Sequence, residues 1–136
     1  MQIKHSEERG SGLMGEGLYF ADRFDKALGY AHNSAYNDPN CKKASKLVLV
    51  CEVALGKIRY ENSFKEIKNL QAGYSSIKLR GRKELSQTVV LEDGLKVPQG
   101  ILSTVNYPDQ FRHYIHNEYS EYVVKRPQQV RIRYVV

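Results

Sequence analysis

The stretch Lys46-Leu-Val-Leu-Val-Cys-Glu-Val-Ala-Leu55 constrains the fold more than any other part of this chain. It is short, β-branched and apolar nearly throughout, the pattern of a strand covered on both faces. Gly56 breaks it, and Ile58-Arg59-Tyr60 predicts a paired strand beyond the break. The remaining strand signals are equally short. Thr88–Leu91 ends in the turn Glu92-Asp93-Gly94, and Val97-Pro98 begins an extended piece through Leu102. Tyr119–Lys125 and Gln129–Val136 read as two strands separated by Arg126-Pro127, because Pro127 cannot donate to a ladder. Alternation over Val130–Val135 predicts one buried and one wet face.

Helical signals are few. Asp22 is the expected N-cap of a helix from Arg23 to His32, with Phe24, Ala27, Leu28 and Ala31 at helical spacing. A second short helix is expected over 61–71. Residues 33–45, 73–87 and 106–117 read as polar connectors, the middle one basic and turn-rich. No βαβ rhythm is present, so the fold class is α+β, short strands with one or two helices. At 136 residues the chain is expected to be one domain spanning 1–136.

Charge and cysteine content narrow the partners. The net charge of +6 suits a polyanion, either nucleic acid or the phosphates of a nucleotide. It is spread over Lys42, Lys43 and Lys46, then Lys78 to Lys83, then Lys125 to Arg133, which is also how a solvated basic surface looks. No run of 18 apolar residues exists, so no membrane span is expected, and the first residues lack the apolar core of a signal peptide. Cys41 and Cys51 form no CxxC pair and read as free thiols in a reducing compartment. His113 and His116 stand three apart without a third ligand, so no metal is expected. Glu52, inside an apolar strand, is expected to be buried with a partner such as a backbone amide or a basic side chain.

Six segments then occur in a telling order. They are Gly15-Glu-Gly-Leu-Tyr-Phe-Ala-Asp22 with Lys26 and Tyr30 following; Leu49–Gly56; Ser76-Ile-Lys-Leu-Arg-Gly-Arg82; Asp93-Gly-Leu-Lys-Val-Pro-Gln-Gly100; Ser120-Glu-Tyr-Val-Val124; and Gln129-Val-Arg-Ile-Arg-Tyr134. Together they resemble the C-terminal part of the catalytic domain of poly(ADP-ribose) polymerases, within the diphtheria-toxin-like ADP-ribosyltransferases. The likeness runs from Gly12 to the end of the sequence. It implies the ADP-ribosyltransferase fold, with mostly antiparallel strands, and NAD⁺ as substrate without a metal. Together with the free thiols it implies nucleus or cytoplasm.

The resemblance also assigns roles. Tyr19 and Tyr30 match tyrosines placed around the nicotinamide, a flat cation suited to stacking and cation–π contact. Gly17 lies in the glycine-rich approach to the ligand, where backbone comes close. Lys26 matches a lysine bordering the donor site. Glu121 matches the catalytic glutamate, able to bond the nicotinamide-ribose hydroxyl and to stabilise oxocarbenium-like charge. Glu118, also followed by a tyrosine, is the alternative register. Glu121 is preferred because only that choice aligns Gln129–Tyr134 with the family's final strand.

Two departures stand out. Ala27 occupies the position of a serine that bonds the carboxamide of nicotinamide, a loss of about 1 kcal/mol. The family's His-Gly-Ser/Thr segment is not recognisable, so the N-terminal part of the fold is expected to be missing, shortened or supplied by a partner chain. His5, in Met1-Gln-Ile-Lys-His5-Ser6, is the one candidate remnant. The first functional reading is therefore transfer of ADP-ribose from NAD⁺ to an acceptor protein or growing polymer. Its rivals are a catalytically inactive scaffold module of the same fold and, more weakly, a basic nucleic-acid-binding domain.

Overall fold

The structure, a computed structural model, describes residues 12–31 and 46–136. In chain order it contains β1 (Leu18–Phe20), α1 (Phe24–Tyr30), β2 (Leu49–Val53), β3 (Ile58–Glu61), β4 (Ser76–Leu79), β5 (Lys83–Val90), β6 (Lys96–Thr104), α2 (Asp109–Arg112), β7 (Glu121–Val124), a 3₁₀ turn (Pro127–Gln129) and β8 (Val130–Val135). Four strands make one sheet in the order β1-β7-β4-β3. Its β1–β7 and β7–β4 pairs are antiparallel and its β3–β4 pair is parallel. Two antiparallel ribbons, β2–β8 and β5–β6, complete the described strands. The class is α+β with mostly antiparallel short strands, as expected. Among the described residues no helix is long and apolar enough to cross a membrane.

The centre of the sheet is where the sequence reading fails. Residues 76–79 were expected to lie in a basic loop, yet they form β4, paired on both sides. Ile77 and Leu79 alternate with Ser76 and Lys78, and both apolar side chains are fully buried. With Met14, Ile67 and Val123 they form the core, against which Leu70 packs. Removing such side chains from water is the main source of stability, about 1.5–3 kcal/mol for each one fully buried.

The helix expected over 61–71 does not form. The backbone of Ile67 is engaged elsewhere, its N–H donating to Met14 O at 3.2 Å and its carbonyl accepting from Lys125 Nζ at 2.9 Å. Those tertiary bonds leave the segment as a plug over the core. Asp22 does not cap α1 either: the helix starts at Phe24 after an extended Arg23 with no side-chain cap. Asp22 instead accepts the Tyr122 hydroxyl at 3.1 Å. The helix ends at Tyr30, and His32 lies outside the described residues.

β2 is not buried on both faces. Among the described residues it belongs to a two-stranded ribbon, with Leu49 and Val50 exposed and Cys51 to Val53 half-buried. Glu52 is half-buried and held by Arg133, whose Nε and NH2 lie 2.8 and 2.6 Å from Oε2. Cys51 is a free thiol, while Cys41 lies outside the described residues. The turn at Glu92-Asp93-Gly94 forms as expected, with Gly94 N–H donating to Leu91 O at 2.8 Å. The 106–117 connector carries the short helix α2. Pro127 sits at the break between β7 and β8, in the first position of the 3₁₀ turn.

Candidate active site

Pairing of β1 with β7 sets the geometry. Leu18, Tyr19 and Phe20 stand opposite Val124, Val123 and Tyr122. Strand alternation then puts Tyr19, Val123 and Glu121 on one side of the pleat, with Tyr122 and Ser120 facing the other. On the far edge of β7, Glu121 is in register with Leu79.

Glu121 does not face solvent alone. The ammonium of Lys26, on α1, lies 2.8 Å from its Oε1, and both side chains are largely buried, at 11% and 14% exposure. The same ammonium donates to the Tyr119 carbonyl at 2.9 Å. Arg23, just before α1, stacks its guanidinium 4.7 Å from the centre of the Tyr119 ring. Residues 119 and 121 are therefore both tied to the same short helix. Tyr30 ends that helix one turn after Lys26, on the same helical face, and is 74% exposed.

Tyr19 is held at its hydroxyl. It accepts the Met14 N–H at 2.9 Å and donates to the Gly15 carbonyl at 2.6 Å. Burial pushes this hydroxyl above its ordinary value of 10.0; the Glu121 charge adds to the rise and the Met14 bond opposes it. The glycine-rich approach is explained by contact. A Cβ on Gly12 would meet the Tyr19 ring at 2.5 Å, and one on Gly17 would meet Val123 Cγ1 at 2.6 Å and Val124 O at 2.9 Å. Gly17 thus lets the chain lie directly on the strand that carries Glu121.

The structure brings together Gly17, Tyr19, Lys26 and Glu121; Tyr30 joins them only through α1. Glu118 is separate, half-exposed and paired with Lys83 at 2.7 Å. Ala27 lies within α1, beside Lys26. His5 lies outside the described residues. Among the described residues no group of three or more His, Cys, Asp or Glu side chains is placed to hold a metal. An open cavity of about 380 Å³, lined by Asn106, Tyr107, Pro108, Asp109 and Arg112, contains none of these site residues.

Some of the basic segment is already neutralised. Lys78 pairs with Glu84 at 2.6 Å and Lys83 with Glu118. Arg80 donates to Asn62 at 3.1 Å and lies 4.7 Å from the centre of the Tyr60 ring. Sequence reasoning missed several residues that shape the site. Asp22 and Tyr122 bond each other behind Glu121, and Lys125 donates from the end of β7 to the carbonyls of Glu16 and Ile67. Burial holds the Lys125 ammonium below its ordinary value. Only the proximity of Asp22 to Tyr19, and of Tyr122 and Lys125 to Glu121, signalled them in the sequence.

The described strands form a short-stranded α+β sheet with Glu121 at the head of β7 and the hydroxyl-anchored Tyr19 on the neighbouring β1. The family model for the poly(ADP-ribose) polymerase catalytic domain matches residues 1–136, and the chain belongs to that family. It is 34% identical over 141 residues to poly [ADP-ribose] polymerase 2-B of Oryza sativa subsp. japonica, covering 100% of this chain and 21% of that protein. It is 34% identical over 130 residues to poly [ADP-ribose] polymerase 2 of Arabidopsis thaliana, covering 91% of this chain and 18% of that protein. It is 30% identical over 142 residues to poly [ADP-ribose] polymerase 1 of Caenorhabditis elegans, covering 100% and 14% respectively. The chain thus spans about a fifth or less of the length of these relatives.

Proposed function

We propose that this chain carries the nicotinamide side of an ADP-ribosyltransferase site, which moves ADP-ribose from NAD⁺ to an acceptor protein or a growing polymer. The observation that carries the reading is the 2.8 Å pair between Lys26 and Glu121 on the strand beside Tyr19. A carboxylate held in a largely dry setting acts more strongly on developing positive charge than one in water. As the bond from the ribose anomeric carbon to the nicotinamide nitrogen breaks, the nitrogen keeps the electron pair and the ribose becomes oxocarbenium-like. Glu121 stabilises that charge through the ribose hydroxyls. An acceptor oxygen then bonds to the anomeric carbon and gives up its proton, with Glu121 orienting the acceptor or taking the proton. Tyr19 and Tyr30 supply the stacking surfaces for nicotinamide, with Tyr19 fixed by its two backbone bonds.

Incubation with NAD⁺, followed by intact mass and by free nicotinamide, tests the reading. Wild type should release nicotinamide and gain ADP-ribose masses, and Glu121→Gln should do neither. Absence of both from the wild type, with no thermal shift on adding NAD⁺, overturns it. Ala27 favours a second reading, a module of the same fold that no longer binds the donor, because its methyl cannot bond the carboxamide. Under that reading Ala27→Ser would create an NAD⁺-dependent thermal shift that the wild type lacks.

A further inference from the structure

Glu121 is flanked by two residues whose side chains point to the opposite side of the pleat, and both are anchored there. Ser120, 1% exposed, accepts the Gly81 N–H at 3.1 Å and donates to Glu84 Oε1 at 2.8 Å. Tyr122 donates to Asp22 at 3.1 Å. Lys78 connects the two anchors: its ammonium lies 2.6 Å from Glu84 Oε1 and 5.3 Å from the centre of the Tyr122 ring. One oxygen of Glu84 therefore accepts from both Ser120 and Lys78.

Backbone bonds bring Glu84 to this place. Arg82 N–H donates to Asn117 O and Lys83 N–H to Glu118 O, each at 2.9 Å, so the start of β5 runs beside residues 117–119. Lys83 forms a parallel bridge with Tyr119, which leaves Glu84 next to Ser120. Gly81 allows the approach, since a Cβ there would fall 2.4 Å from Ser120 N.

We propose that Glu84 is a positioning residue for Glu121. By holding Ser120 on one side of the pleat, it fixes the rotation of β7 at its first residue and keeps the Glu121 carboxylate at Lys26. The proposal rests on the reading of Glu121 as the charge-stabilising carboxylate. Losing the Glu84 carboxylate leaves the Ser120 hydroxyl with the Gly81 N–H alone, removes the counter-charge of Lys78 and loosens the strand at the end that carries Glu121. Misplacement of a reacting group by about 1 Å can lower turnover as much as about a hundredfold, and where the group acts only in the transition state the loss falls on kcat rather than KM.

The test compares Glu84→Ala, Glu84→Gln and Ser120→Ala with Glu118→Ala, which breaks the neighbouring Lys83 pair without touching Ser120. Amide hydrogen exchange over residues 118–124 should quicken by about fivefold or more in Glu84→Ala and Ser120→Ala. It should stay at the wild-type rate in Glu118→Ala and in Glu84→Gln, whose amide oxygen still accepts. With NAD⁺, kcat for nicotinamide release should fall about tenfold in Glu84→Ala while KM stays within about twofold. Unchanged exchange in both Glu84→Ala and Ser120→Ala overturns the proposal, as does quickened exchange with unchanged kcat. Quickened exchange in a protein whose wild type releases no nicotinamide supports the link from Glu84 to the strand and instead overturns the reaction reading.

Discussion

Lys26 Nζ lies 2.8 Å from Glu121 Oε1 and 2.9 Å from the carbonyl of Tyr119, so one ammonium on α1 holds both the carboxylate and the backbone two residues before it. Its two bonds are unequal in what they leave behind when broken. Without Lys26 a largely buried carboxylate loses its charged partner; without the Glu121 charge the ammonium still has a carbonyl.

Lys26→Met is therefore expected to destabilise by about 2–3 kcal/mol, near the lower end for breaking a buried pair. Glu121→Gln, which keeps an acceptor oxygen, should cost about 1 kcal/mol or less. In the double variant Lys26→Met/Glu121→Gln the charge problem disappears, and a coupling of about 1–2 kcal/mol should appear in a denaturant cycle. Additive losses would mean that the pair does not hold in solution.

Two glycines near this helix should respond oppositely to a methyl group. Gly17→Ala drives a Cβ to 2.6 Å from Val123 Cγ1 and 2.9 Å from Val124 O, backbone and core that cannot yield cheaply. A loss of about 1–3 kcal/mol is expected. Gly29 lies within α1 with nothing within 4 Å of its Cβ direction, so Gly29→Ala should stabilise by about 0.5–1 kcal/mol. Thermal melts of the two variants decide this directly.

The order of motifs was legible in the sequence through the resemblance of six segments to those of a known family. The preference for Glu121 over Glu118 rests on the resemblance of Gln129–Tyr134 to the family's final strand, and the two glutamates sit in different surroundings, one at Lys26 and one at Lys83. What escaped was anything decided by contacts distant in sequence. Ser76-Ile-Lys-Leu79 looks like a loop because Ser, Lys, Arg and Gly surround its two apolar residues, yet pairing on both edges makes it one of the two inner strands. Phe64, Ile67 and Leu70 have helical spacing, but Met14 and Lys125 take the backbone groups of Ile67 that a helix would need. Asp22 looks like a cap, and only the fold shows Tyr122 reaching it from 100 residues away.

Tyr122 should give the stability curve an alkaline limb. Burial is the main cause that raises its hydroxyl far above the ordinary 10.0, with the Asp22 charge next. The neutral form is thus favoured in the folded state, so its contribution is complete below pH 10 and is lost as pH rises beyond it. Each pH unit above about 10 should cost about 1.4 kcal/mol from this group while the fold persists. Tyr122→Phe removes that slope, at the cost of about 1 kcal/mol at neutral pH for the lost bond to Asp22. Urea midpoints of both proteins from pH 8 to 11 should therefore converge as pH rises; parallel curves would exclude Tyr122 as their source.

Tyr19 separates anchoring from stacking. Its hydroxyl satisfies the N–H of Met14, a residue with no solvent exposure, and donates to Gly15 O. Tyr19→Phe keeps the ring but orphans that N–H, so a stability loss of about 1–3 kcal/mol is expected. The aromatic face remains for nicotinamide, and KM for NAD⁺ should rise by no more than about threefold. Tyr19→Ala removes both and should raise KM at least about tenfold, as the stacking contact is lost with the anchor. If the two variants raised KM alike, the hydroxyl anchor rather than the ring face would be what NAD⁺ binding needs, and the stacking role given to Tyr19 would fall.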